Sequence, residues 1–261
     1  MHHAKDVEEL KLIRPGLRGK LASSLEVVTG KHALRSAVAV LGVTDEIRAY
    51  QLETRAVRKK SWVYPNGVVS SEIPLLEDKR DAVTIEAAFI CGHFSPWHGL
   101  DLLTEELRRA SVLRVIPSGL KIHLIGKLSE SQIRDVEMAN VNQEVFIIHG
   151  NLSPSEYVPI LTRCDVGIGS LAMFRENLTQ GATLKVREYL ALGLPVYSGH
   201  VDTSIPKTFK YYKCGSISLP QVIDFANSLK AAKRNEVREA SAQYIEKLQL
   251  MRSVVDWLSG N

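Results

Sequence analysis

The sequence predicts an α/β protein: a doubly wound parallel sheet covered by helices on both faces, with a smaller unit ahead of it. Three observations lead there. From about Val83 onward, short apolar runs alternate with amphipathic segments, the pattern of strands joined by crossover helices. The segments between the runs carry apolar residues three and four positions apart, the period of a helix with one buried face. The two stretches richest in glycine, histidine and paired charge fall just beyond the carboxyl ends of strands, where open α/β sheets bind ligands.

Read in order, the apolar runs place strands over 83–90, 120–125, 144–149, 165–170 and 194–197, with helices over 99–110, 130–140 and 155–163. Ahead of them, residues 15–33 are expected to be helical and 37–41 to form a short strand. Thr44 is a natural N-cap, because Asp45 and Glu46 follow it in the first turn. One strand cannot bury itself, so this opening piece reads as the tail of another domain. It is joined on through residues 62–68, where Pro65 and Asn66-Gly67 signal a turn. Residues 236–258 read as a single long amphipathic helix, with Tyr244, Leu248, Met251, Val255 and Leu258 at helical spacing.

With 261 residues, 45% of them hydrophobic, the chain can bury a substantial core. Its net charge of +4 suits an anionic small molecule or a membrane surface, and it lacks the dense basic tract of a nucleic-acid binder. Cys91, Cys164 and Cys214 are far apart and odd in number, which points to free thiols in a reducing compartment. No apolar run approaches the ~18 residues that span a bilayer. A cytoplasmic location is expected.

Two constellations could carry chemistry. In the first, Cys91-x-His93-x4-His98 offers zinc-type ligands close together, but Cys91 ends a strand, His98 leads into a helix, and no fourth ligand follows at a recognisable spacing. An anion site fits the location better. Residues 92–99 link a strand's carboxyl end to a helix N-terminus, Gly92 allows close backbone approach, and His93 and His98 can donate hydrogen bonds. No metal is assigned. In the second, Gln180-Gly-Ala-Thr-Leu-Lys-Val-Arg-Glu-Tyr-Leu-Ala-Leu-Gly-Leu-Pro-Val196, Gly181 and Thr183 open a helix on which Lys185 and Glu188 share a face. Gly167-Ile-Gly-Ser-Leu-Ala172 matches a dinucleotide fingerprint only formally, since Gly167 lies within a strand. His123 and His149 sit on or at the ends of strands and read as packed or hydrogen-bonded residues. No Ser-His-Asp order or P-loop is present.

With these residues in place, the chain resembles the C-terminal, donor-nucleotide-binding half of a glycosyltransferase of the GT-B fold. The particular likeness is to bacterial capsular and surface-polysaccharide transferases with a domain of the "glycosyl transferases group 1" type. Residues 40–47 are similar to the last strand and helix of that family's acceptor domain, and Tyr64-Pro-Asn-Gly-Val68 to its interdomain segment. Residues 89–100 resemble its first strand and phosphate-facing loop, and residues 184–196 its ribose-binding helix. The resemblance implies a Rossmann-like domain over 63–235. It makes 1–62 a remnant of the acceptor domain with the interdomain segment, and 236–261 a C-terminal helix packing back toward the N-terminal part.

What the resemblance implies for function is specific. Glu188 would accept hydrogen bonds from the ribose hydroxyls. Helix-start amides at Gly181, Ala182 and Thr183, with Leu184 and Lys185, would face the diphosphate. Gly92, His93, Ser95 and His98 would form the opposite wall, and His149 with Gly150 would border the base. His93, His98 and Lys185 are the candidates for neutralising the departing diphosphate; the catalytic groups themselves are left unassigned. The family's second glutamate, eight positions before the helix carboxylate, is Gln180 here.

The expected activity is transfer of a hexose from a nucleotide-diphosphate sugar such as a UDP- or GDP-hexose. The acceptor would be a saccharide or a lipid-linked molecule at the inner membrane face, in surface polysaccharide biosynthesis. The nucleotide sugar is a substrate, and no cofactor is expected. Only the last elements of the acceptor domain are expected in this chain, so a partner chain supplying that domain is a further expectation. The alternative is a non-catalytic nucleotide-sugar-binding module or half of a two-chain enzyme. An epimerase of the same architecture is a third possibility that no sequence feature demands.

Overall fold

The computed structural model describes residues 1–14, 16–113, 119–140 and 144–260. The chain begins with α1 (Asp6–Ile13) and α2 (Leu17–Ser36), then β1 (Val40–Gly42), α3 (Asp45–Thr54) and β2 (Ser61–Val63). It continues through β3 (Ile85–His93), α4 (Leu100–Val112), β4 (Leu120–Lys127), α5 (Glu130–Ala139), β5 (Phe146–Gly150), α6 (Pro154–Leu161), β6 (Val166–Ile168), α7 (Leu184–Leu192), β7 (Val196–Ser198) and β8 (Tyr212–Cys214). Three helices close it: α8 (Leu219–Ser228), α9 (Arg234–Ile245) and α10 (Lys247–Ser259).

Strands β3 to β8 form one parallel sheet in the order β5-β4-β3-β6-β7-β8. The chain winds outward from β3 to β5, then crosses back to lay β6 against the other side of β3. That reversal makes the β3/β6 boundary the topological switch point, whose carboxyl edge opens a crevice. β3 is buried without interruption from Ile85 to Phe89, as a central strand covered on both faces must be.

The glycines in and just after β6 answer to packing. A Cβ on Gly167 would lie 2.5 Å from the Tyr189 ring, and one on Gly169 would lie 2.5 Å from Ser198 Oγ. Tyr189 uses that space to donate from its hydroxyl to Ala88 O (3.1 Å) and accept from Ile90 N (2.8 Å), tying α7 to β3.

The smaller unit pairs β1 with β2 in parallel over a minor core of Leu34, Val40 and Val57. Thr44 caps α3 as expected, its hydroxyl accepting from Ile47 N at 3.2 Å. Pro15 lies outside the described residues, and the expected 15–33 helix is realised as α2. The polar start of the chain folds as α1 because Asp6, together with Glu26, neutralises the buried Arg55 (2.9 and 2.7 Å), a long-range pairing that periodicity does not reveal.

The expected strands and helices over 83–197 are all present with shifted ends. β3 starts two residues late because Val83 and Thr84 donate their amides to Asp81 in a turn. The single helix expected over 236–258 is two helices, broken at Glu246. There the stretch after β2 intercepts the backbone: Val68 N donates to Ile245 O and Lys247 N to Val68 O, both at 2.9 Å, while Glu246 accepts from Ser70 N at 3.1 Å. Of the expected packing stripe, Leu248, Met251, Val255 and Leu258 are exposed, and Val254 is the buried residue of α10. Trp257 stacks on Trp62 with ring centroids 5.2 Å apart. Among the described residues, no helix is long and apolar enough to cross a membrane.

Candidate functional site

At the switch point, the carboxyl end of β3 and the first turns of α7 enclose a cavity of about 200 Å³. Gly92, His98, Lys185 and Glu188 line it together with Cys91, Tyr157 and Tyr189. A second, more apolar concavity of about 460 Å³ adjoins it, lined by Pro154, Tyr157, Val158 and Pro159 from α6 and by Ile73 and Pro74 from the stretch between β2 and β3. The two share Tyr157, Glu188 and Leu192.

Lys185 is the centre of the first cavity. Its Nζ donates to Cys91 Sγ at 3.0 Å and lies 4.9 Å from the centroid of the Phe89 ring. Desolvation pulls its pKa below that of an ordinary lysine, against the upward pull of Cys91 and Glu188. Glu188 makes no ion pair with Lys185 despite the shared helix face, and desolvation raises its carboxyl pKa. Tyr157 faces the same carboxylate, whose charge adds to burial in raising the phenol pKa. A cation and an acceptor carboxylate that are not consumed by each other remain available to a ligand.

The loop after β3 is folded on itself. Phe94 is buried edge-on against Phe89, with ring centroids 5.2 Å apart. Ser95 is buried, and its amide donates to His98 Nδ1 at 3.0 Å, so the imidazole proton sits on Nε2. Desolvation, with Lys185 and His93 nearby, lowers the His98 pKa to about 3. Of the two ways His98 could meet an anion, burial disfavours the imidazolium and leaves a neutral N–H donor at the cavity wall. His93 is exposed beside Trp97 and does not line the cavity. The loop is clamped to the segment after β6 by Leu171 N to His98 O and Ala172 N to Trp97 O, at 3.1 and 3.0 Å.

The N-terminus of α7 departs from expectation in one respect. Gly181 N donates to Val201 O at 2.9 Å and is not free for an anion. Among the described residues, the amides of Thr183, Leu184 and Lys185 have no backbone acceptor, and the buried Thr183 Oγ1 has no hydrogen-bond partner. These are the groups that an anion at this helix end would satisfy. Gly181 is required sterically, since a Cβ there would meet His200 Cδ2 at 2.6 Å and Met173 Sδ at 2.8 Å.

Two devices aim this helix, and neither was legible in the sequence. The buried Arg187 forms an ion pair with Asp202, donates to Ser204 Oγ (2.7 Å), and reaches Asn66 O in the interdomain segment (2.9 Å). Asn66 in turn donates to Ala182 O at 2.8 Å. On the other side, Glu46 at the start of α3 accepts from Thr179 N and Gln180 N (2.9 and 3.0 Å), and its own amide donates to Gln180 Oε1 at 2.8 Å. Burial opposes the Glu46 charge, but these bonds and Lys5 hold its pKa below the usual range. Gln180 is thus occupied in joining the two units.

His149 stands at the end of β5, followed by Gly150, and neither lines the cavity around Lys185. His149 Nε2 is 2.8 Å from His123 Nδ1, and His123 Nε2 is 2.8 Å from Glu86 Oε2. Desolvation lowers both imidazole pKa values. Cys91, His93 and His98 are not gathered as metal ligands. Among the described residues, the group of three potential ligands is Glu86, His123 and Cys164.

A Rossmann-like sheet with its crevice at this switch point is the architecture of GT-B glycosyltransferases, and solved structures of that class share it. A glycosyltransferase from Rickettsia africae ESF-5 aligns with a TM-score of 0.62 over 89% of this chain at 16% identity. Anabaena HepE in complex with UDP and glucose aligns at 0.64 over 99% with 13% identity. Sucrose-phosphate synthase from Thermosynechococcus elongatus aligns at 0.64 over 100% with 14% identity. The chain spans 66%, 71% and 68% of those proteins, respectively. No family model and no curated protein sequence matches it.

Proposed function

We propose that the chain binds a nucleotide-diphosphate sugar at the switch-point crevice and serves as the donor half of a hexosyltransferase. The observation that carries this reading is the unpaired arrangement of Lys185 and Glu188 in one cavity, beside a helix N-terminus whose first amides are unengaged. The α7 amides and Lys185 meet the diphosphate, and neutral His98 donates from Nε2. As the glycosidic bond to the diphosphate breaks, these fixed donors stabilise the charge growing on the leaving oxygen. Glu188 accepts from the ribose hydroxyls. The adjoining apolar concavity on α6 receives the flat base. HepE, which shares the fold, is a structure with UDP and glucose bound, and this supports a UDP-hexose as donor.

The acceptor in this reading is a saccharide or lipid-linked molecule of surface polysaccharide synthesis, at the cytoplasmic membrane face. Residues 1–62 belong to the acceptor side, 63–235 to the donor side, and 236–261 return toward the former. A second reading is that the chain binds nucleotide sugar and turns over only with a partner chain. Release of UDP or GDP from the corresponding hexose donors, with and without added saccharide acceptors, separates the two. Turnover by the chain alone supports the transferase, binding without turnover supports the module, and absence of nucleotide binding contradicts both.

A further inference from the structure

Away from the crevice, at the amino-terminal ends of β3 and β6, three side chains of unlike chemistry meet inside the protein. Glu86 is the second residue of β3, His123 lies within β4, and Cys164 immediately precedes the Asp165 that leads into β6. Their ligand atoms all lie within 4.8 Å of one another, and all three residues are buried. Buried carboxylate, imidazole and thiol groups are costly to gather in an apolar core unless they are paired with one another or with an ion.

The present hydrogen bonds leave this cluster partly used. Glu86 Oε2 holds His123 Nε2 at 2.8 Å and is approached by Arg163 Nε at 3.4 Å. Among the described residues, the one hydrogen bond of Cys164 Sγ is a long one, donated to Ile160 O at 3.7 Å. Asp165 is engaged elsewhere, accepting from Glu86 N and pairing with Lys230.

We propose that Glu86, His123 and Cys164 form a site for a divalent transition-metal ion, zinc by the chemistry of its ligands. A His nitrogen, a carboxylate oxygen and a thiolate sulfur are the donors zinc takes, at about 2.0–2.3 Å. An ion among the three sits in reach of each once Glu86 turns off the imidazole. Cys164 gives up its thiol proton to solvent, and a water completes the tetrahedron. The outer partner is already in place: His149 Nε2 is 2.8 Å from His123 Nδ1, where a metal-bound imidazole donates its remaining N–H. The side chain of Arg163 is 51% exposed, so the cation over Glu86 can withdraw into solvent as the ion enters. The ion would pin β3, β4 and the α6–β6 junction to one another.

Titration of the full chain with Co(II) tests this directly. One equivalent should bind and produce the thiolate-to-cobalt charge-transfer absorption, displaced by Zn(II). Cys164→Ser should abolish that absorption while Cys214→Ser leaves it, and His149→Ala should weaken binding by about 10–100-fold. If Cys164→Ser fails to fold by circular dichroism, Glu86→Gln provides the second readout and should weaken binding at least tenfold. No stoichiometric cobalt, or an absorption that survives Cys164→Ser, overturns the proposal and leaves the cluster as a buried hydrogen-bond chain.

Discussion

Lys185 Nζ donates to Cys91 Sγ at 3.0 Å, joining the first turn of α7 to the end of β3 across the switch point. This contact parks a cation at the start of α7, with a thiol as its hydrogen-bond partner. A thiol is a weak acceptor, so in the proposed reading a phosphate oxygen would compete well for this ammonium.

The pH dependence of nucleotide affinity follows from that position. Lys185 has its pKa lowered from 10.5 by desolvation, and a diphosphate selects the ammonium form. Affinity should therefore fall as pH rises through the depressed folded pKa, beginning below the range of an ordinary lysine. The unfolded chain holds this proton more tightly, so the Lys185 contribution to stability rises with pH between the folded pKa and 10.5. Lys185→Met should bind UDP more weakly by about 1.5–3 kcal/mol, the scale of a hydrogen bond to a charged group. It should also lose the alkaline decline, as calorimetry at stepped pH values would show.

His98 is expected to behave in the opposite pH range. With a folded pKa of about 3 against 6.5, it stays neutral at physiological pH, and the unfolded chain takes up the proton first. Its contribution to stability is present above pH 6.5 and is lost as pH falls toward 3. Denaturant melts should show wild type losing stability relative to His98→Gln across that window. Nitrogen chemical shifts should report the Nε2–H tautomer at neutral pH.

Gly181→Ala should place a methyl 2.6 Å from the buried His200 ring. Overpacking of this kind costs about 1–3 kcal/mol. Chemical denaturation should show that loss, together with weaker nucleotide binding as the start of α7 shifts.

Arg187→Ala should destabilise the fold by about 3–5 kcal/mol, because it strands the buried Asp202 without its partner. Replacing both residues with apolar ones of similar volume should recover part of that loss in the same melts.

How much of this was legible in the sequence depends on the range over which each signal acts. Apolar periodicity located β3 to β7 and their connecting helices, because burial on both faces of a parallel sheet writes itself into local runs. It overextended the last helix, since the break at Glu246 is imposed by Val68, far away in the chain. Strand β8 and helix α8 went unread. In the site, the residue types at Gly92, His98, Lys185 and Glu188 pointed to one cavity and the structure brings them into it. Their electrostatics were not legible: the lowered pKa of His98 comes from burial and from Lys185 and His93 nearby, and the Cys91 contact comes from the meeting of two distant elements. Tyr157 carried no local signal, being one aromatic on a short helix until folding sets it beside Glu188.

The most direct test of the central claim is calorimetric titration of the wild-type chain and of Glu188→Ala with UDP and GDP. The expected result is saturable binding of at least one nucleotide by the wild type, weakened by about 1–3 kcal/mol in the variant, with its fold unchanged by circular dichroism. Binding of neither nucleotide, or equal affinity in both proteins, would contradict the assignment of Glu188 to the ribose and of this crevice to a nucleotide sugar.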